Sequence, residues 1–308
     1  MVLGILVSSR EKMKKVGFIG LGDMGMSMAK NLIKEGFDLT GFDLRESQRT
    51  ELEAAGGKAA DSIASLGQAV DVVFIMVMTG KQVDSIINGE GGLLGAMEPG
   101  KTIILTATIE PSEARTVAKP VLEKGVHMID SPVSGGKGGA EAGTLAMMAA
   151  GERAVWEAQQ DVLNAVGGTV FHVGEEIGKG QTVKASLQAL IGSTFTAIFE
   201  SLVLGAKAGV EGKVLYEVFA ASGVSSPLFK NCASLIMDRK FQGTGSQIGT
   251  MYKDLGITMG LARENGAAMF TTSAAYELFQ SGISMFPEED NWSIVKLLEQ
   301  IAGTEVKW

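Results

Sequence analysis

Lys15-Val16-Gly17-Phe18-Ile19-Gly20-Leu21-Gly22-Asp23-Met24-Gly25 is the stretch that decides how this chain folds. Its first five residues read as a strand, and the six after them form a G-x-G-x-x-G turn. Helical spacing follows from Met26 to Glu35, and Gly36 stands where helices commonly stop. A second strand-like run, Leu39-Thr40-Gly41-Phe42, leads into Asp43. Asp43 lies 18 residues after Gly25, close to the ~20 expected of a dinucleotide-binding turn. The glycines permit a tight turn and let a pyrophosphate approach the helix N-terminus, where backbone N–H groups favour anions. Gly20, Leu21, Gly22, Asp23, Met24 and Gly25 are therefore candidate cofactor contacts, and Asp43 is the candidate acceptor for the adenosine ribose. A carboxylate there repels a 2′-phosphate and favours NAD. Arg45, two residues on, offers a phosphate partner and keeps NADP possible.

The alternation continues outward. Val72-Val73-Phe74-Ile75-Met76-Val77 is a continuous apolar run, as expected of a strand covered on both faces. Thr102-Ile103-Ile104-Leu105 and Val126-His127-Met128-Ile129 follow, each preceded by a glycine and a helical stretch. Leu145 to Ala149 and Thr169 to Val173 read as further strands. Strands alternating with helices predict an α/β fold, an N-terminal Rossmann domain with a doubly wound parallel sheet. After about Ile177 the strand-like runs stop. Residues 181–308 are helical in pattern, broken at Gly209, Ser222 to Pro227, Gly243 to Gly245, Asn265-Gly266 and Pro287. The expected division is an extension over residues 1–12, an NAD(P)-binding domain over 13–176 and an all-α C-terminal domain over 177–308.

The 308 residues are 45% hydrophobic and 20% charged, with a formal net charge of -8. That balance speaks against nucleic acid and anionic membrane as partners. Cys232 is the single cysteine, so no internal disulfide can form, which fits a reducing cytoplasm. With His127 and His172 as the only histidines, a zinc site built on His and Cys lacks ligands, and no metal is expected. Val2 to Val7 is apolar but too short for a secretory signal, and Met13-Lys14-Lys15 would make a natural second start. No other run is expected to approach the ~18 uncharged apolar residues of a membrane-spanning helix.

Within the helical half, Gly178-Lys179-Gly180-Gln181-Thr182-Val183-Lys184-Ala185-Ser186-Leu187-Gln188 places a lysine one turn inside a long apolar helix. Gln188 follows one turn later on the same face. Such a lysine either snorkels to the surface or serves as an acid/base. Ser134-Gly135-Gly136 offers a hydroxyl and closely spaced backbone N–H groups, which form either an anion nest or a plain loop. His172 reads as structural or as a domain hinge. Asp254 reads as a local cap or pairing partner and the 16 methionines as mostly core filler. Glu288-Glu289-Asp290 reads as a solvated turn, and Arg239 and Lys240 as surface charges.

Five segments, in order, resemble the 3-hydroxyisobutyrate dehydrogenase-related enzymes, the β-hydroxyacid dehydrogenases. Phe18 to Gly25 resembles their opening. Thr106-Ala107-Thr108-Ile109-Glu110-Pro111 resembles their cofactor-contacting loop, with Thr108 at the cofactor position. Asp130-Ser131-Pro132-Val133-Ser134-Gly135-Gly136 resembles their substrate loop, usually D-A-P-V-S-G-G. Gly178 to Lys184 resembles their catalytic G-x-G-x-x-x-K, and Lys253-Asp254-Leu255 their K-D-L segment, whose lysine lies near the cofactor. The resemblance runs from about residue 15 to the C-terminus.

It implies an NAD(P)-dependent oxidoreductase moving a hydride between nicotinamide and a small anionic hydroxyacid or aldehyde-acid. The substrate types implied are threonate, 3-hydroxyisobutyrate and 2-hydroxy-3-oxopropionate. It further implies Lys184 as general acid/base, with Lys253 as a second cation that lowers its pKa. Ser134, Gly135, Gly136 and Gln188 would bind substrate, Lys253 would lie near the cofactor, and the protein would be a homodimer or homotetramer. Gln188 replaces the usual Asn, which resembles the L-threonate branch; Ala107 replaces a common Ser, and Ser131 the usual Ala. Imine reductase-like enzymes and non-catalytic dinucleotide-binding regulators share the architecture, but both generally lack the lysine.

Overall fold

The computed structural model describes residues 13–308, and the expected extension over residues 1–12 lies outside the described residues. Contacts divide the chain into two compact units. The first comprises the described residues up to Ala107 together with Ser112–Gly180; the second comprises Thr108–Pro111 and Gln181–Trp308.

The strands of the first unit are β1 (Lys15–Ile19), β2 (Asp38–Phe42), β3 (Lys58–Ala59), β4 (Val72–Ile75), β5 (Thr102–Leu105), β6 (His127–Asp130), β7 (Val133–Ser134), β8 (Leu145–Ala150) and β9 (Gly167–Gly174). Among the described residues they form one sheet in the order β3-β2-β1-β4-β5-β6-β8-β7, with β9 paired to β8. Every pairing from β3 to β6 is parallel, and the order 3-2-1-4-5-6 is that of a doubly wound dinucleotide-binding sheet. The helices are α1 (Asp23–Lys34), α2 (Glu46–Ala54), α3 (Ile63–Ala69), α4 (Gly80–Asn88), α5 (Leu93–Ala96), α6 (Pro111–Glu123), α7 (Gly136–Ala142), α8 (Arg153–Ala158) and α9 (Gln160–Val166).

Local sequence explains this unit. β4 and β5 are buried along their whole length, as strands flanked by crossover helices on both faces must be. Phe18 of β1 stacks on Phe74 of β4 with ring centroids 5.6 Å apart. Gly36 ends α1 at a φ of 89°, its N–H donating to the Ile33 carbonyl. The sheet is not parallel throughout: β8 runs antiparallel to β6 and β7, and β9 returns parallel to β8. β3 and β7 have two residues each, too few for an alternating pattern to mark them in the sequence.

The second unit is helical: α10 (Lys179–Lys207), α11 (Gly212–Ala221), α12 (Pro227–Met237), α13 (Ile248–Asn265), α14 (Phe270–Met285) and α15 (Ile294–Ala302), with a short 3-10 turn at Asn291–Ser293. α10, α11, α13 and α14 end at or within two residues of the breaks read from the sequence, whereas α12 ends at Met237, six residues before Gly243. Phe199, Leu202, Cys232, Ile236, Leu255 and Phe279 form the fully buried centre of its core.

Three expectations need correction here. By length and composition α10, with 29 residues, could cross a bilayer; the apolar side chains Phe195, Phe199 and Leu202 instead pack into the core of this unit. Arg239 is no plain surface charge. Its guanidinium donates twice to the carboxylate of Glu299, at 2.5 and 3.0 Å, and once to the Val306 carbonyl at 3.2 Å. Asp290 is buried rather than solvated, and its carboxylate accepts from the Thr244 N–H and hydroxyl and from the Ser246 N–H.

Glu299 also accepts the Val306 N–H at 2.7 Å, so it ties the C-terminal tail and Arg239 to α15. Glu299→Ala strands both partners. It is expected to cost about 2 to 3 kcal/mol, read as a lower urea midpoint with an unchanged slope.

Candidate functional site

The glycine turn is fixed by close approach. Gly20 has a φ of 90°, and a Cβ on it would lie 2.1 Å from the Met76 carbonyl oxygen. A Cβ on Gly25 would lie 1.9 Å from the Gly20 carbonyl oxygen. Neither position accepts a side chain without moving backbone. Gly22 is the N-cap of α1, and no side chain caps the helix, so the first-turn N–H groups are available to an anion. Asp23 stands in that first turn, Met24 packs against the core, and Leu21 is buried.

Asp43 is tied into the same turn. Its Oδ2 accepts the Leu21 N–H at 2.8 Å, and its Oδ1 accepts the Arg45 N–H at 2.9 Å and the Arg45 Nε–H at 3.1 Å. Burial alone raises the Asp43 pKa. The hydrogen bonds from Arg45 and Leu21 outweigh it and hold the carboxyl below its ordinary range. Gly20 to Gly25 and Asp43 thus lie around one turn, while Thr108 and Lys253, also expected at the cofactor, belong to the second unit.

A second glycine-rich turn lies at the other end of this unit's chain. Asp130 ends β6 fully buried, and its Oδ2 accepts the Gly178 N–H at 2.9 Å. A Cβ on Gly180 would lie 2.4 Å from the Met148 carbonyl oxygen and 2.6 Å from that of Asp130, so glycine is needed where α10 begins. Ser134 belongs to a strand and not to a loop, pairing with Ala146 of β8. Gly135 and Gly136 then turn the chain into α7 with φ values of 140° and 61°, and both are exposed. α7 is fastened to α1 by Asn31, whose Nδ2 donates to the Ala140 carbonyl at 2.7 Å. Ser131 Oγ is buried without a hydrogen-bond partner among the described residues, and nothing in the structure explains a serine there.

The second unit gathers the remaining candidates into one network. Lys184 is 7% exposed and Gln188 5%. Gln188 Nε2 donates to Asp254 Oδ2 at 2.6 Å. Lys253 Nζ lies 2.9 Å from Asp254 Oδ1 and donates to the Thr108 carbonyl at 2.7 Å. The Ile109 N–H donates to Gln181 Oε1 at 3.0 Å, and Thr258 Oγ1 of α13 donates to the Ala185 carbonyl of α10 at 2.9 Å. Burial pushes the Lys184 pKa down and the charge of Lys253 lowers it further, against a raising contribution from Asp254. A lysine so placed is neutral over a wider range of pH than a solvated one, and a neutral amine accepts a proton.

Two members of this network carry more than the sequence suggested. Asp254 pairs with its neighbour Lys253 as expected, but it also reaches across to Gln188 on α10. Gln181, 1% exposed, holds the Thr108–Pro111 segment; its signal was a polar side chain at the start of an apolar helix. His172 has its Nε2 2.8 Å from the Gly151 carbonyl oxygen and its ring 5.1 Å from that of Trp156, a structural arrangement. Among the described residues no group of three His, Cys, Asp or Glu could hold a metal ion.

Comparison with known proteins gives concordant matches. A family model described as the NAD binding domain of 6-phosphogluconate dehydrogenase matches residues 15–174. One described as NAD-binding of NADP-dependent 3-hydroxyisobutyrate dehydrogenase matches residues 178–298. The chain is 36% identical over 298 residues to 2-(hydroxymethyl)glutarate dehydrogenase of Eubacterium barkeri, with 96% of this chain and 98% of that one covered. It is 32% identical over 289 residues to L-threonate dehydrogenase of Cupriavidus necator, with 94% and 97% covered. Among solved structures, 3-hydroxyisobutyrate dehydrogenase from Salmonella typhimurium matches with a TM-score of 0.84 at 30% identity, covering 92% of this chain and 99% of that chain.

The burial of Lys184 has a consequence for stability. Its folded pKa lies below the unfolded value, so between the two the unfolded chain binds more protons and stability rises with pH. Lys184→Met is therefore expected to melt at a higher temperature than the wild type at pH 7. The gain shrinks as the pH rises through the ordinary lysine value of 10.5, above which the wild-type amine is neutral in both states. Calorimetric melting across that range checks it; equal melting temperatures would mean that the ammonium is solvated.

Proposed function

Because the chain belongs to the 3-hydroxyisobutyrate dehydrogenase-related family and is an NAD(P)-dependent hydroxyacid dehydrogenase acting on CH–OH donors, we propose that Lys184 is its general acid/base. The observation that carries this reading is the burial of Lys184 under the influence of a second cation, Lys253. When bound, the nicotinamide accepts or returns the hydride. In oxidation Lys184 Nζ takes the proton of the substrate hydroxyl; in reduction it gives that proton back to the carbonyl oxygen.

The chain's other residues fit binding and orientation. Gly20, Gly22 and Gly25 with the uncapped start of α1 suit a pyrophosphate, with Leu21, Asp23 and Met24 lining the turn. Asp43 suits the ribose hydroxyls, and Thr108 and Lys253 complete the cofactor contacts. Ser134 Oγ and the N–H groups of Gly135 and Gly136 hold the substrate carboxylate. Gln188 has its Nε2 engaged by Asp254, which leaves Oε1 to accept from a substrate hydroxyl. That longer amide supports a polyhydroxylated acid of the threonate type; 3-hydroxyisobutyrate, 2-hydroxy-3-oxopropionate and 2-(hydroxymethyl)glutarate are the other substrates to try. The same reading expects a cytoplasmic homodimer or homotetramer. Imine reductase-like and regulatory readings are not favoured, since both Lys184 and Lys253 stand in the chain and its near full-length relatives are named as dehydrogenases.

NADH formation with the hydroxyacids of this panel, and NADH consumption with 2-hydroxy-3-oxopropionate, run beside Lys184→Ala, test the reading. Turnover of at least one hydroxyacid is expected, with kcat about a hundredfold to ten-thousandfold lower in the variant. Equal activity in the variant would remove Lys184 from the chemistry. The pH profile separates the neighbours. Oxidation fails on the acid side as Lys184 is protonated. Lys253→Met removes a charge that lowers the Lys184 pKa, so the acid limb moves to higher pH. Asp254→Asn removes one that raises it, so the limb moves to lower pH.

A further inference from the structure

An apolar groove lies open on the helical unit, between α10 and α15. It has a volume of about 250 Å³ and is lined by Glu200, Val203, Leu204, Lys207, Leu298 and Ala302. Leu204 is 72% exposed, and Ile301, next to Ala302 on α15, is 76% exposed. Two large aliphatic side chains thus stand in water beside an apolar cleft, and such a patch marks a surface made for contact. The charges at its rim say with what. Among the described residues neither Glu200 nor Lys207 makes an ion pair or a side-chain hydrogen bond. They lie seven residues apart on one face of α10, two turns and ~10.5 Å along the axis, too far to bond each other. Lys207 Nζ stands at the C-terminal end of α15, 3.9 Å from where a Cβ on Gly303 would be.

We propose that this groove is an interface between two copies of the chain, related by a two-fold axis that crosses α10 between Val203 and Leu204. The second α10 then runs antiparallel to the first, and Glu200 of each copy faces Lys207 of the other. A two-fold contact repeats every pair twice, so one carboxylate and one ammonium per chain give two opposite-charge pairs. They rim an apolar centre where the Leu204 side chains meet, as in other protein interfaces. Ala197, Ser201 and Ala208, on the exposed side of the same helix, are small, and side-chain size sets how closely two helices pack. A bilayer suits the surface less well, because both signs of charge rim it and the chain carries a net charge of -8. The inference rests on the homo-oligomer expected above and assigns it a face; it is independent of the role of Lys184.

Sedimentation velocity over a range of protein concentrations tests this on the wild type, Leu204→Asp, Glu200→Lys, Lys207→Glu and an equimolar mixture of the last two. All three positions are exposed, so each variant is expected to keep its fold, which circular dichroism checks. Leu204→Asp places a carboxylate at the apolar centre of both copies and is expected to weaken association about a hundredfold or more. Each charge reversal sets like charges at both pairs and is expected to weaken association about tenfold. In the mixture one chain carries two cations and the other two carboxylates. Both pairs are then opposite again, and association is expected to return close to the wild-type value. A wild type that stays monomeric at every concentration contradicts both the oligomer and this face. An oligomer indifferent to all three substitutions keeps the oligomer and rejects the face. Single variants that dissociate but do not recover on mixing reject the two-fold pairing.

Discussion

The chemistry of the helical unit depends on one buried carboxylate. Asp254 is 3% exposed, and taking a carboxylate so far from water is tolerated only when it is paired and hydrogen-bonded. Here the partners are the Gln188 amide and the Lys253 ammonium. Through them Asp254 fixes α13 against α10, sets the orientation of Gln188 and holds the cation that reaches the Thr108 carbonyl. It also bears on Lys184 from the opposite direction to Lys253. Desolvation and one cation lower the pKa of that lysine, and the carboxylate raises it. Such balancing of burial and neighbouring charge is how a lysine is brought toward the working range of an acid/base.

The first unit is governed by sterics more than by charge. At Gly20, Gly25 and Gly180 a single methyl group would collide with backbone carbonyl oxygens. The glycines let strand ends, helix starts and carbonyls approach closely enough to shape the turn over β1 and the entry to α10. Electrostatics enters at the rim, where Asp43 is pulled below its ordinary pKa by N–H donors and a guanidinium. A folding constraint and a proposed recognition element therefore occupy the same few residues.

Much of this was legible in the sequence. The glycine turn, the spacing to Asp43 and the uninterrupted apolar run at β4 gave the parallel sheet, because each is a local pattern with one economical solution. The helix breaks of the second unit were legible for the same reason. What stayed hidden depends on partners distant in the chain. β3 and β7 are too short to carry a period, and β7 exists only because β8 pairs with it. Arg239 read as a surface charge and Asp290 as part of a solvated turn because their partners, Glu299 and the 244–246 backbone, lie tens of residues away. Asp254 read as a local partner of Lys253, and only the packing of α13 on α10 gives it Gln188 as a second one. The hydrogen bonds from Arg45 to Asp43 were equally invisible, since spacing alone gave the two residues opposing roles without showing that they bind each other.

The most direct measurement is the titration of Lys184 itself, followed by NMR on protein with isotopically labelled lysine and assigned by comparison with Lys184→Met. An ammonium resonance titrating clearly below the ordinary lysine value of 10.5, and moving higher in Lys253→Met, is the predicted result. A resonance at the ordinary value, indifferent to Lys253, would contradict the assignment of Lys184 as a neutral base held ready by burial and a neighbouring cation.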